Sequence, residues 1–210
     1  RVLRLSLPTG FQTLFFATGM TVLFGIIARV GTQELAAANV LINITLVAIL
    51  PAIGLGLASG SLVGQALGRG DPEDAYHWAW DVVKVALVVL GILAIPMLSI
   101  PEVLLSGFIH DPDTLELARL PLQLVGGYII VDAVALVLLN SLIGAGATVS
   151  AAAWSVGLQW GIFLPTAWLV GPVLGYGLLG IWLAQMGFRL LQGLAFVILW
   201  QRRGWTTAGA

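Results

Sequence analysis

Apolar residues run along this chain in six long blocks, separated by short polar or glycine-rich breaks. A helix that crosses a bilayer needs roughly 20 mainly apolar residues. The blocks at 5–30, 34–67, 75–99, 115–143, 150–170 and 178–200 each supply about that many. The pattern predicts an all-α, polytopic membrane protein of six transmembrane helices, with residues 1–205 as one unit and 206–210 as a tail. Short breaks make neighbouring helices antiparallel. The longer break at 100–114 leaves room for an interfacial helix around Pro101 to His110.

Within the second block Gly56, Gly60, Gly64 and Gly68 recur every four residues. That spacing lines one ridge of a helix, where absent side chains let a second helix come close. Asp71-Pro72 and Asp111-Pro112 each precede an apolar block and read as helix starts, the aspartate capping free amides and the proline following where no N–H is needed. Pro8, Pro51, Pro121 and Pro165 lie in or near spans, where each removes a backbone hydrogen bond and can bend its helix.

Composition agrees with the pattern. Hydrophobic residues make up 59% of the chain and charged residues 9%, against roughly 25% charged in a soluble domain. The formal charge of -1 offers no basic field for nucleic acid, and the lack of cysteine removes disulfides and thiolate chemistry. His77 and His110 stand outside the apolar blocks and assemble no metal site. The chain opens on Arg1 at the edge of a helix, as a piece of a longer protein would.

Basic residues set the orientation. Arg1, Arg4, Arg69, Lys84, Arg202 and Arg203 fall on the side of the N-terminus and only Arg29 and Arg119 on the other, which predicts both termini on the cytoplasmic side of the plasma (inner) membrane. Trp78, Trp80, Trp154, Trp200 and Trp205 fall near the inner boundary, and Trp168 and Trp182 near the outer one. Those are the positions of aromatic belts.

The residue that bears most on chemistry is Asp132, near the middle of the fourth span. A carboxylate there is expensive unless protonated, paired or facing water, so it is the candidate proton or cation site. Tyr128 lies one turn earlier and is placed to donate to it, while Asn140 lies two turns later, rotated by about 80°. Asn39 and Asn43 are one turn apart on the second span, and Gln12 and Thr18 lie on the first. Together with Asp132 they would make a mildly acidic, partly wet cavity for a small organic cation or amphipathic substrate. Arg189, near the centre of the sixth span, is predicted to snorkel towards an interface rather than pair with Asp132. Gln159 and Gln185 are polar without supporting context. There is no G-x-x-x-x-G-K-[ST] phosphate loop and no nucleophile with a partnering base, so neither an ATP-driven motor nor an enzyme is indicated.

An ordered set of short segments then becomes visible: LPTG at 7–10, VGTQELAAANV at 30–40, GQALGRGDPEDA at 64–75, FIHDPD at 108–113, IGAGAT at 143–148, Pro165, GLLGIW at 177–182 and Trp205. In that order they resemble the C-terminal six-helix half of the multidrug and toxic compound extrusion (MATE) family. The resemblance implies two six-helix lobes around a central cavity, the N-terminal lobe being the missing partner. It also implies export of cationic or amphipathic compounds against protons or sodium ions, without a further cofactor. Asp132 looks like the acidic residue that many members carry in the corresponding helix. Two departures stand out: Phe15, Phe16 and Ala17 occupy the place of a glutamate found in some sodium-coupled members, and 143–147 reads IGAGA where RGAGD-like loops are usual. A lipid-linked oligosaccharide flippase is the alternative within transport, and a non-transporting membrane scaffold the alternative outside it. Only Arg189 is central enough to meet the flippase's diphosphate.

Overall fold

The computed structural model describes residues 2–207, with side chains from 10 to 206. Pro8 lies inside the first helix, but its side chain and that of Arg4 fall outside the described set, as does Arg1. The elements are α1 (Val2–Ala28), α2 (Thr32–Gly68), α3 (Pro72–Ser99), the short α4 (Pro101–Ser106), α5 (Pro112–Gly144), α6 (Thr148–Leu158), α7 (Leu164–Trp168) and α8 (Gly177–Gln201). A π-helical turn, Gln159–Phe163, joins α6 to α7, and another, Leu169–Val173, follows α7. With these turns, Thr148–Val173 forms a single span, and among the described residues six helical stretches are long and apolar enough to cross a membrane.

Sequence chemistry explains the ends of these helices. The Asp71 carboxylate accepts from the Asp74 amide at 2.9 Å, and the Asp111 carboxylate from the Thr114 amide at 3.0 Å. Both Asp-Pro pairs are therefore caps with proline in the first turn. The acidic Asp71–Asp74 turn is also partly neutralised, since Asp74 pairs with Arg69 at 2.6 Å. Between the last two spans the chain reverses at Gly175 and Gly177, whose φ values of 74° and 61° disfavour any residue with a Cβ. The two π turns lie before Pro165 and around Pro172, where proline leaves the helical ladder short of a donor.

At the centre of the bundle α5 is packed between α2, α3 and α8. The α2 ridge works at three of its four glycines. A Cβ on Gly56 would meet the Asn140 side chain at 2.8 Å, one on Gly60 the Asn140 carbonyl oxygen at 2.7 Å, and one on Gly64 the Gly144 carbonyl oxygen at 3.3 Å. Gly68 meets nothing. Contact is closest where Gly60 faces Gly144, and beside it Ser59, adjacent to Gly60, and Ser141, about one turn before Gly144, both fully buried, share a hydrogen bond of 2.8 Å. Such small-residue seams hold helices together where lipid supplies no hydrophobic drive.

At the other edge α1 leans mainly on α6, tied by Gln12 Nε2 donating to Ser155 Oγ at 3.2 Å, and is held to the first π turn by Trp160 Nε1 donating to the Phe15 carbonyl at 3.2 Å. The C-terminal end folds back onto α3. Trp205 stacks on Trp200 at 4.2 Å, Trp200 stacks on Tyr76, and Arg203 covers the Tyr76 ring while pairing with Glu73.

Candidate functional site

Four helices and a π turn enclose a pocket of about 80 Å³. Its walls are mostly apolar: Phe16, Met20 and Leu23 of α1 face Ile42, Leu46 and Ile49 of α2, with Phe163 of the first π turn closing one side. Phe163 is itself held by stacking on Phe188 at 5.1 Å. The polar lining is sparse: Thr45 from α2, Tyr128 from α5, and Trp182, Gln185 and Arg189 from α8. The α8 residues fall at i, i+3 and i+7, so one face of that helix brings them all to the pocket.

Asp132 lies behind this lining, with its side chain 1% exposed. Arg189 Nε stands 3.4 Å from Asp132 Oδ1, so the arginine does not snorkel as its sequence context predicts. Snorkelling requires a route to water. Here the pocket lets the guanidinium stay central, at 19% exposure, with a carboxylate as counter-charge. The pairing is electrostatic without being a hydrogen bond: both carboxylate oxygens and Arg189 Nε lack hydrogen-bond partners, and Arg189 Nη1 instead donates to Gln192 Oε1 at 3.3 Å.

The other predicted site residues scatter. Tyr128 lines the pocket but does not donate to Asp132, because helical side chains lean towards the N-terminus, which carries its hydroxyl away from a residue one turn later. Asn140 sits in the α2–α5 seam, with Nδ2 on the Leu136 carbonyl at 2.8 Å. Gln12 is committed to Ser155. Asn39 and Asn43 are exposed and bonded to each other, Asn43 Nδ2 to Asn39 Oδ1 at 2.8 Å, on a face of α2 that continues into Leu46 at the pocket wall. The acidic, wet cavity expected from Asp132, Asn39, Asn43 and Gln12 is thus not what the lobe encloses. Its pocket is apolar, and the charge it presents is cationic.

The sequence misplaced one lining residue and left another as a polar candidate without context. Trp182, assigned there to an aromatic belt, is 4% exposed, and its indole Nε1 has no hydrogen-bond partner. Gln185 carries an unpartnered Oε1 beside it. Their spacing from Arg189 was the available signal. Among the described residues no three of His, Cys, Asp and Glu gather as they would to hold a metal ion. Gln159, also buried, fills the space left by Gly19 on α1.

Six apolar spans, a glycine seam and a pocket beside an intramembrane charge pair define an integral membrane protein of the polytopic helical class. Comparison with known proteins sharpens this. The MatE family profile matches residues 8–169, and the chain belongs to that family. It is 27% identical, over 96% of its length, to a probable multidrug resistance protein NorM of Thermotoga maritima, and 26% identical, over its whole length, to the uncharacterized transporter YisQ of Bacillus subtilis. The chain spans about half of these relatives, 45% and 46% respectively. Among solved structures, an outward-facing multidrug resistance MATE family transporter superposes with a TM-score of 0.86 at 21% identity, covering 100% of this chain and 46% of that one. An inward-facing structure of a MATE family transporter superposes with a TM-score of 0.83 at 16% identity, covering 96% and 47%.

Proposed function

We propose that this chain is one six-helix lobe of a secondary antiporter that exports amphipathic organic compounds in exchange for protons or sodium ions. The observation that carries it is the apolar pocket ending at the Asp132–Arg189 pair. A mostly apolar lining with a few placed polar groups suits a small organic molecule, and an intramembrane carboxylate is costly to keep unless it serves binding or coupling. The names of the NorM relatives favour export of drugs.

The pair is built loosely for a structural tie. A buried pair repays its desolvation only with good geometry and further hydrogen bonds, and here the 3.4 Å contact has neither on the carboxylate side. That favours a switch over a scaffold. A proton on Asp132, or a sodium ion beside it, competes with Arg189 for the same charge and frees the guanidinium. Asn39 and Asn43, on the exposed face of α2, would look across a cleft at a second six-helix lobe. The positive-inside count supports both ends of this segment lying in the cytoplasm.

The test is efflux of a fluorescent amphiphile from cells expressing the full-length protein, under separately imposed sodium and proton gradients. Gradient-driven efflux that is lost in Asp132→Asn, with insertion retained, is expected. No efflux from well-inserted protein overturns the assignment, and unchanged efflux in the variant removes Asp132 from the coupling.

A further inference from the structure

We infer that the pocket selects ligands by an anionic, hydrogen-bond-accepting group: its substrate class is the amphipathic organic anion, an apolar body carrying a sulfonate, carboxylate or phosphate ester. The inference rests on the pocket serving as the transport site proposed above, and three observations lead to it.

The charge open to the pocket is that of Arg189, whereas Asp132 is not among the lining residues and is 1% exposed. An entering cation would meet the guanidinium before it met a carboxylate already matched by that guanidinium. The second observation is Trp182. It is 4% exposed and lines the pocket, yet its indole Nε1, which can only donate, has no partner. A buried donor without an acceptor is costly in a medium that offers none. An acceptor oxygen on a bound ligand satisfies it. The third is the placement of the two donors. Trp182 and Arg189 line the pocket from one face of α8, two turns apart, and Gln185 between them can turn its amide to present N–H rather than its unpartnered Oε1 to a ligand oxygen. The Phe16, Met20 and Leu46 walls then cover the apolar remainder.

The probes are a matched pair, naphthalene sulfonate and naphthyl trimethylammonium, titrated by calorimetry against the purified full-length protein in lipid discs with no ion gradient. The sulfonate is expected to bind about tenfold more tightly, the scale of a charge-assisted hydrogen bond. Trp182→Phe keeps the ring but removes the N–H, and should weaken sulfonate binding by about fivefold while leaving the ammonium unchanged. Arg189→Gln should reverse the preference by exposing Asp132. A wild-type preference for the ammonium overturns the inference, and so does a sulfonate affinity indifferent to Trp182→Phe, a substitution mild enough to report even if Arg189→Gln does not fold. Discs of zwitterionic lipid with and without phosphatidylglycerol identify the source of the anion. Competition by the anionic lipid points to a headgroup and its absence to a soluble amphiphile, and both carry the same acceptor chemistry. Equilibrium binding is independent of transport, so preferred sulfonate binding without gradient-driven efflux would sink the antiporter alone. Efflux selective for cations would sink this inference alone.

Discussion

Removing one charge from the central pair leaves the other stranded. Asp132→Asn should therefore lower thermal stability in detergent by on the order of 3 kcal/mol, towards the smaller end for a buried pair because Arg189 is 19% exposed. Asp132→Asn combined with Arg189→Gln should recover much of the loss, and a double-mutant cycle measures how much. If the double variant loses the sum of the two single losses, the two side chains are not coupled. Asp111 offers a pH-dependent counterpart outside the spans. The Thr114 hydroxyl, and secondly the Thr114 amide, hold its carboxyl below the ordinary aspartate range. A depressed acid stabilises the fold fully above its unfolded pKa, about 3.9, and the contribution disappears as pH falls through the lower folded value. Protection from hydrogen exchange at the first turn of α5, taken relative to the intrinsic rate at each pH, should fall across that acid window in the native protein. In Asp111→Asn, which keeps an oxygen for the cap but cannot titrate, that fall in protection should be absent.

At the level of helices, the α2–α5 seam gives an internally controlled experiment. A Cβ on Gly144 would lie 2.1 Å from the Gly60 carbonyl oxygen and 2.7 Å from its Cα, backbone atoms that cannot rotate away. Gly144→Ala should cost about 2 kcal/mol or more in detergent unfolding, whereas Gly68→Ala, with open space around it, should be tolerated. Equal effects would show that the ridge is not a contact surface. This seam was legible in the chain because a four-residue glycine spacing is a local signal, as were the apolar blocks and the Asp-Pro caps. The pocket was not legible in the same way. Whether Arg189 turns to an interface or to Asp132 depends on how α8 meets α5, and a single helix does not record that. Trp182 shows a different failure: a tryptophan near a helix end fits the belt rule, and only the i, i+3, i+7 relation to Gln185 and Arg189 argued for one inward face. Gln12 bonds across to another helix and Asn140 back to its own, and composition cannot separate either from substrate binding.

For the whole molecule, the exposed polar stripe of α2 distinguishes a transporter lobe from a scaffold. This chain contains no cysteine, so Asn43→Cys introduces one thiol into it. In the full-length protein that thiol should react with a water-soluble maleimide if α2 borders a hydrated cleft, while Ser59→Cys, at a fully buried position, should not. An unreactive Asn43→Cys would place this face against lipid or packed protein.

The Gly60–Gly144 contact also has a mechanical meaning. Where two backbones touch there is no intervening layer of side chains to slide or change rotamer, and close-packed interiors transmit force instead of absorbing it. α2 and α5 therefore behave as one stiff beam, with Asp132 and one wall of the pocket mounted on it. Any displacement around the pocket would then fall on the elements outside the beam: α1, which rests mainly on α6, α8, and the segment that carries the two π turns.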